Sequence, residues 1–395
     1  CKLSVAEVEG DTVAYGFLCG RDYDTQKHVE ANRSGFDLMK TRRRILRGVQ
    51  RTLEPRDAPR TLSLPRLERT SRADPLPGRP DFTIGIPAAL HLYEDLPFWK
   101  TFFRRLGIKT VTSERYPDAV KQGRLLAGAE FCAPITALHG HVKNLLDRSD
   151  VVFLPFYLER KNPETEGRRQ LCYYTQFAPS LGAAVGNQEG RERILTPLVH
   201  SLYSTLFTKA ELYRTLRSVL PGGISFFEVA SAFDEATEAQ KKGVERLREV
   251  YRREVGQREA SPDPALHVVL LGRPYTILCE WMNKRIPQIF GSLGVPVFFQ
   301  DMLSYASEDV AALRSLLEEV HWNYAAQILE AAEVVARTPG AYPAFVTSFK
   351  CSPDSFLTDY FRTILESHGK PYLILELDEH DSRLGYETRI EAAVR

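Results

Sequence analysis

The sequence has no Cys-x-x-Cys pair, and its six cysteines (Cys1, Cys19, Cys132, Cys172, Cys279 and Cys351) lie far apart in 395 residues. Zinc-ribbon and thioredoxin-like motifs are therefore unsupported, and a disulfide scaffold would need far more cysteine. A reducing, cytoplasmic setting is the default expectation. Net charge is almost absent too: 52 Lys and Arg face 51 Asp and Glu. No global field then draws the chain to nucleic acid or to an anionic membrane. No apolar run is long enough to span a bilayer, and the start carries no signal-peptide pattern. GxxxxGK(S/T), a GxGxxG after a strand, HExxH and GxSxG are all missing, which removes the support for common nucleotide-binding, dehydrogenase and hydrolase types. The chain begins at Cys1 rather than methionine and reads as a segment of a longer one.

What is present is an ordinary globular composition, 43% hydrophobic and 26% charged, enough for two or three domains. Residues 1–40 read as a small cysteine-containing unit with a strand-like stretch, TVAYGFLC. Residues 41–80 are rich in arginine and proline, the composition of a linker, with room for one short basic helix at its start. From residue 81 the pattern is α/β. DFTIGIPAAL leads into a helical stretch closed by FFRRLGIKTV, and HVVLLGRPYTI leads into IFGSLGVPVF. Gly85 and Gly272, Pro87 and Pro274, Leu106 and Leu293, Gly107 and Gly294 all share one offset. Coincidence at four positions argues for a duplicated βαβ unit, with Leu-Gly closing each helix before the next strand.

The expected architecture is therefore two similar Rossmann-like or flavodoxin-like parallel-sheet domains, residues 81–185 and 263–395, around a helical insert at 186–262. Residues 81–111 and 268–298 are expected to match as strand–helix–strand units, with Gly85 and Gly272 at equivalent strand ends. In such sheets ligands sit beyond the carboxyl ends of the strands.

Cys132, Cys172 and Cys351 all fall in loops of this framework, and Cys132 and Cys351 are each followed by proline two residues on. Proline in a first helical turn costs no hydrogen bond and leaves N–H groups facing whatever sits there. By spacing alone, three unrelated buried thiols and one shared metal site both remain open. Cys279 reads as packing. Glu130 could be a proton donor beside Cys132 or a solvated acid. His139 could donate to a bound group or be structural; His141, two residues on, points elsewhere on a helix. Arg273 could clamp an anion or pair with an acid. The acidic run Glu376 to Asp381 is a loop that could serve proton transfer if it lines a cleft.

The phrases IGIPAALHLYEDLPFWKTFFRRLG, EFCAPITALHGHV, LLGRPYTILCEWMNKRIPQIFGSLGVPVFFQDML and SFKCSPDSFLTDYFRTIL resemble the 2-hydroxyacyl-CoA dehydratase superfamily. They resemble more closely the iron–sulfur region downstream of the ATPase part in large acyl-CoA dehydratase activase-related proteins. The resemblance implies that Cys132, Cys172 and Cys351 bind an iron–sulfur cluster, [4Fe-4S] or of a double-cubane type. It also implies dehydratase- or reductase-like chemistry on an acyl-CoA or another small molecule, driven by an ATPase activator that is upstream or separate. A homodimer fits the same picture, and a non-catalytic module docking that activator to a dehydratase is the alternative. Cys1 and Cys19 match a cysteine-rich opening motif of the family. Where the family has glycine beside its last cysteine, this chain has Lys350 and Ser352.

Overall fold

The chain's structure, a computed structural model, describes residues 4–8, 11–15, 31–52, 82–161, 168–186, 188–199, 204–259, 266–378 and 383–395. Two four-stranded parallel sheets organise it. The first holds β1 (Thr83–Ile86), β2 (Lys109–Thr112), β3 (Val151–Phe153) and β4 (Ile194–Leu195), ordered β2-β1-β3-β4. The second holds β5 (His267–Gly272), β6 (Val297–Phe299), β7 (Ala341–Ser348) and β8 (Leu373–Leu377), ordered β6-β5-β7-β8. Both are the flavodoxin-like winding. The expected α/β class with two like sheets is what forms. Central strands buried on both faces read as continuous apolar runs, and β5 (HVVLLG) is buried at every position. Pro343 is tolerated inside β7 because β8 pairs only from Ala344 onward, so at that point one side needs no donor.

The helices that position the site are, in chain order, α1 (Leu38–Thr52), α2 (Leu90–Arg105), α3 (Ala119–Leu126), α4 (Ala133–Leu146), α5 (Tyr173–Gln176), α6 (Phe226–Glu259), α7 (Ile286–Ser292), α8 (Asn323–Arg337) and α9 (Ser352–Ser367). Both duplicated segments run strand, helix, parallel strand, and they end their helices alike. Ile108 N–H donates to Phe103 O at 2.9 Å and Val295 N–H to Phe290 O at 3.0 Å, with Gly107 at φ 69° and Gly294 at φ 85°. This is a glycine-terminated helix end repeated in both copies. The glycines before the helices are less alike. Gly85 faces Val111, 26 positions on, whereas Leu270 faces Phe299, 29 positions on, so the two registers differ by three. The physical reason lies between strand and Leu-Gly: α2 is continuous, whereas the second copy breaks between Ile277 and Ile286.

The long helix α6, 34 residues and roughly 50 Å, is more than an insert. Val229, Ala232, Phe233 and Ala236 enter the core of the first sheet, and Leu247, Val250 and Val255 enter that of the second. One amphipathic stripe thus joins both cores. The region expected as a helical insert also supplies β4, a two-residue strand too short to leave a period in the sequence. The basic stretch opens with a folded helix, α1. Its Arg42 guanidinium donates to both Asp301 oxygens at 2.7 Å, and Phe36, Leu38 and Met39 pack into the second core. Residues 53–80 of the expected linker, and Cys1 and Cys19, lie outside the described residues. No helix among the described residues is long and apolar enough to cross a membrane.

Gly294→Ala meets no atom within 4 Å but must hold φ 85°, and is expected to cost about 1–2 kcal/mol. Gly272→Ala should cost more, since at φ 146° its Cβ would lie 2.4 Å from the Val346 carbonyl oxygen. Chemical denaturation of the two variants checks the order.

Candidate functional site

Three cysteines occupy the same local position in three different places. Cys132 caps α4 at φ −65°, ψ 153°, Cys172 caps α5 at φ −61°, ψ 151°, and Cys351 caps α9 at φ −86°, ψ 93°. In each the backbone is extended and the cysteine carbonyl accepts from the first helical turn: from Ile135 and Thr136, from Gln176, and from Ser355. Pro134 and Pro353 sit in the first turns of α4 and α9, where the missing N–H costs nothing. The Cys172 thiol also contacts Thr175 Oγ1 at 3.1 Å. All three cysteines are half-buried and free of disulfides.

The thiols share one electrostatic neighbourhood. Burial pushes Cys132 up to about 11 and Cys351 higher still. Cys172 adds to the rise at Cys132, and Cys132 adds to the rise at Cys351. Against this act the Arg273 guanidinium and one first-turn N–H each, from Ile135 for Cys132 and from Asp354 for Cys351. Without a cation these two thiols therefore stay protonated at neutral pH; a metal would have to displace the protons.

Arg273 interacts electrostatically with all three thiols. It is buried, at 3% exposure, and donates through Nε and Nη2 to Asp354 Oδ1 at 2.9 and 2.7 Å. Thr347 Oγ1 donates to the other Asp354 oxygen at 2.9 Å. Cys351 and Cys172 lie close enough to help hold the guanidinium charged. Of the two readings open for Arg273, the structure places the acid partner on the adjacent helix of its own domain, while the cation still reaches the thiols.

The remaining sequence candidates distribute as follows. Glu130 is exposed and accepts from Lys350 Nζ at 2.8 Å, which fastens the loop before Cys132 to the loop before Cys351 and lowers the Glu130 carboxyl. Lys350 holds φ 64°, an uncommon conformation outside glycine. His139 is buried, its Nδ1 2.8 Å from the Ile135 carbonyl and its ring stacked on Phe131. Cys279 is buried apart from the three, beside Tyr93 and Glu280. Glu376 of β8 pairs with Thr347 of β7, and 379–381 fall outside the described residues. Among the described residues no group of three or more His, Cys, Asp or Glu side chains closes on one point as a single ion would require. A cluster of several irons holds its thiolates farther apart than one ion does, and three soft donors with no carboxylate or imidazole among them suit iron–sulfur iron.

Sequence reasoning found the cysteines but not their common cation. Arg273 carried the signal of following a strand-end glycine, and its acid, Asp354, stood three residues after Cys351 in the opening of α9. Asp354→Ala leaves Arg273 buried and unpaired and is expected to cost about 3–5 kcal/mol. Arg273→Met combined with Asp354→Leu should recover much of that loss, and equilibrium unfolding of the three variants measures it.

Among curated proteins none matches the chain. A family model described as the CoA enzyme activase uncharacterised domain matches residues 83–303, which include Cys132, Cys172 and Arg273 and end before Cys351. That span covers the whole first sheet, the strut helix α6 and the start of the second sheet, more than half of the 395 residues. The chain belongs to the CoA enzyme activase uncharacterised-domain family.

Proposed function

We propose that Cys132, Cys172 and Cys351 together hold one iron–sulfur cluster, and that the protein serves low-potential electron transfer or reductive chemistry of the 2-hydroxyacyl-CoA dehydratase and activase type. The observation that carries this reading is that three helix-capping thiols, two from the first domain and one from the second, lie within electrostatic reach of Arg273. Cys132, Cys172 and Cys351 would hold the cluster, which would supply one-electron chemistry.

The chain's own residues do the rest. First-turn N–H groups of α4 and α9 face the sulfurs and favour their anionic form. Arg273 offsets the negative charge from inside the protein, where a fixed cation acts strongly. Asp354 holds Arg273 in place and, with Tyr275 and Tyr324 beside it, keeps the guanidinium out of water. The Lys350–Glu130 pair closes the rim between the two domains and sets a second cation next to Cys351.

On this reading the substrate is an acyl-CoA or another small molecule, and ATP is hydrolysed by an activator upstream or separate. A cytoplasmic protein, working as a homodimer, fits that role. A second reading is favoured by one feature: Tyr173, Tyr174, Phe177, Phe349 and Phe356, in the segments beside Cys172 and Cys351, are exposed. Such aromatic surface suits a non-catalytic module that docks an ATPase activator to a dehydratase partner.

Anaerobic reconstitution with iron and sulfide tests the first proposal. The wild-type chain is expected to turn brown and to keep its iron through gel filtration. Cys132→Ser, Cys172→Ser and Cys351→Ser should each lose the colour, and Cys279→Ser should keep it. Full iron retention in Cys351→Ser would sink the assignment. Turnover of a thioester with a chemical reductant would favour the enzyme over the docking module.

A further inference from the structure

A cavity of about 330 Å³ lies in the crevice between the two sheets. Ala88 and Ser113 reach it from the carboxyl ends of β1 and β2, and Ser348 and Leu377 from those of β7 and β8. That is where open α/β sheets bind their ligands. The volume falls at the lower end of the range for small-molecule sites.

Two of its lining side chains have unmet hydrogen-bonding capacity. His141 is 6% exposed and Ser348 is 5% exposed, and among the described residues neither His141 Nδ1 nor Ser348 Oγ has a hydrogen-bond partner. A buried polar atom left unpaired costs about 1–3 kcal/mol, so two of them at one cavity, contributed by different domains, call for an explanation. The surrounding charge is mainly positive. Lys121, Arg124 and Lys284 line the cavity, as do Glu114 and Asp378, the latter next in the chain to Leu377, the strand partner of Ser348. Glu114 is already engaged by Lys100 at 2.5 Å and by Thr112 at 2.9 Å. Lys284 itself holds φ 50°, a conformation that a non-glycine residue keeps only where its surroundings impose it. Ala133, Ala137, Val120 and Met282 supply an apolar wall.

The packing that places these groups is specific. At Gly123 and Gly140 an added Cβ would lie 1.7 and 2.1 Å from the facing backbone, so α3 and α4 touch main chain to main chain. That contact brings Lys121 and Arg124 of α3 to the same opening as His141 of α4.

We propose that this cavity binds a small organic carboxylate. The carboxylate would accept from Ser348 Oγ and the His141 imidazole, with Lys121 and Lys284 offsetting its charge and its carbon skeleton against the apolar wall. Burial lowers the His141 imidazole to about 4, so at pH 7 the ring is neutral and offers one N–H. A neutral molecule would gain nothing from the lysine charges, and a bare inorganic anion would leave the apolar wall uncovered. The site needs no iron, and its failure or success is independent of the cluster assignment.

Calorimetry on the full 395-residue chain, without iron, uses acetate, butyrate, succinate and benzoate as probes, with butyramide and inorganic phosphate as controls. At least one carboxylate is expected to bind saturably, with butyramide silent and phosphate weaker. Ser348→Ala and His141→Phe should each weaken that binding about tenfold or more. Both variants should melt at the same or a higher temperature than the parent, because each removes an unpartnered polar atom. A purely structural pair would instead lower the melting temperature and leave binding alone. No saturable binding by any of the four carboxylates, equal binding of butyramide, tighter binding of phosphate, or unchanged affinity in both variants would overturn the proposal.

Discussion

The ionic seam between the two sheets is the constraint on which the site depends. Arg160, from the segment after β3, donates to Glu94 and Asp95 of α2 at 2.6 Å each, and Tyr324 of α8 donates to Glu94 at 3.1 Å from the other domain. A few residues on, Arg169 donates to Glu330 of α8 at 3.0 Å, and Gln170 N–H to the His321 carbonyl at 2.9 Å. Burial pushes the Glu94 carboxyl up even against the pull of Arg160, so the charges here are held at a real desolvation cost. Such a seam adds little net stability over an apolar one, but it has one geometry in which every charge is paired. Cys172 follows Gln170 by two residues, so the register of the seam fixes where that thiol sits relative to Cys351.

The helix starts translate that register into chemistry. A cysteine at an N-cap sits beside unpaired first-turn amides whatever its wider sequence, and Cys132 and Cys351 use them in this way, whereas the Cys172 thiol contacts Thr175 Oγ1. Burial alone would make the Cys132 and Cys351 sulfurs poor ligands by keeping them protonated. A buried arginine, anchored on an aspartate rather than free to leave, shifts the balance back toward anionic sulfur without opening the site to water.

Much of this was legible in the residues. Long apolar strands followed by helices gave the α/β class, and Leu-Gly marked both helix ends, because a left-handed residue after a helix is a local requirement. Register was not legible: Gly85 and Gly272 share an offset, yet the break between Ile277 and Ile286 redistributes the same number of residues differently. Pro134 and Pro353 announced the helices behind Cys132 and Cys351, whereas the four-residue helix behind Cys172 has no proline and left no period. The arginines of α1 read as solvated linker because composition cannot reveal a partner such as Asp301, more than two hundred residues away. For the same reason LHGHV drew notice to two histidines without saying which faces a cavity; Ser348, its counterpart, lies on the other sheet.

The central claim is that three capping thiols share one cluster, and iron-edge X-ray absorption on the anaerobically reconstituted chain addresses it most directly. The account predicts a first shell dominated by sulfur together with scattering from a neighbouring iron. A first shell of light oxygen and nitrogen atoms, with no iron neighbour, would contradict it.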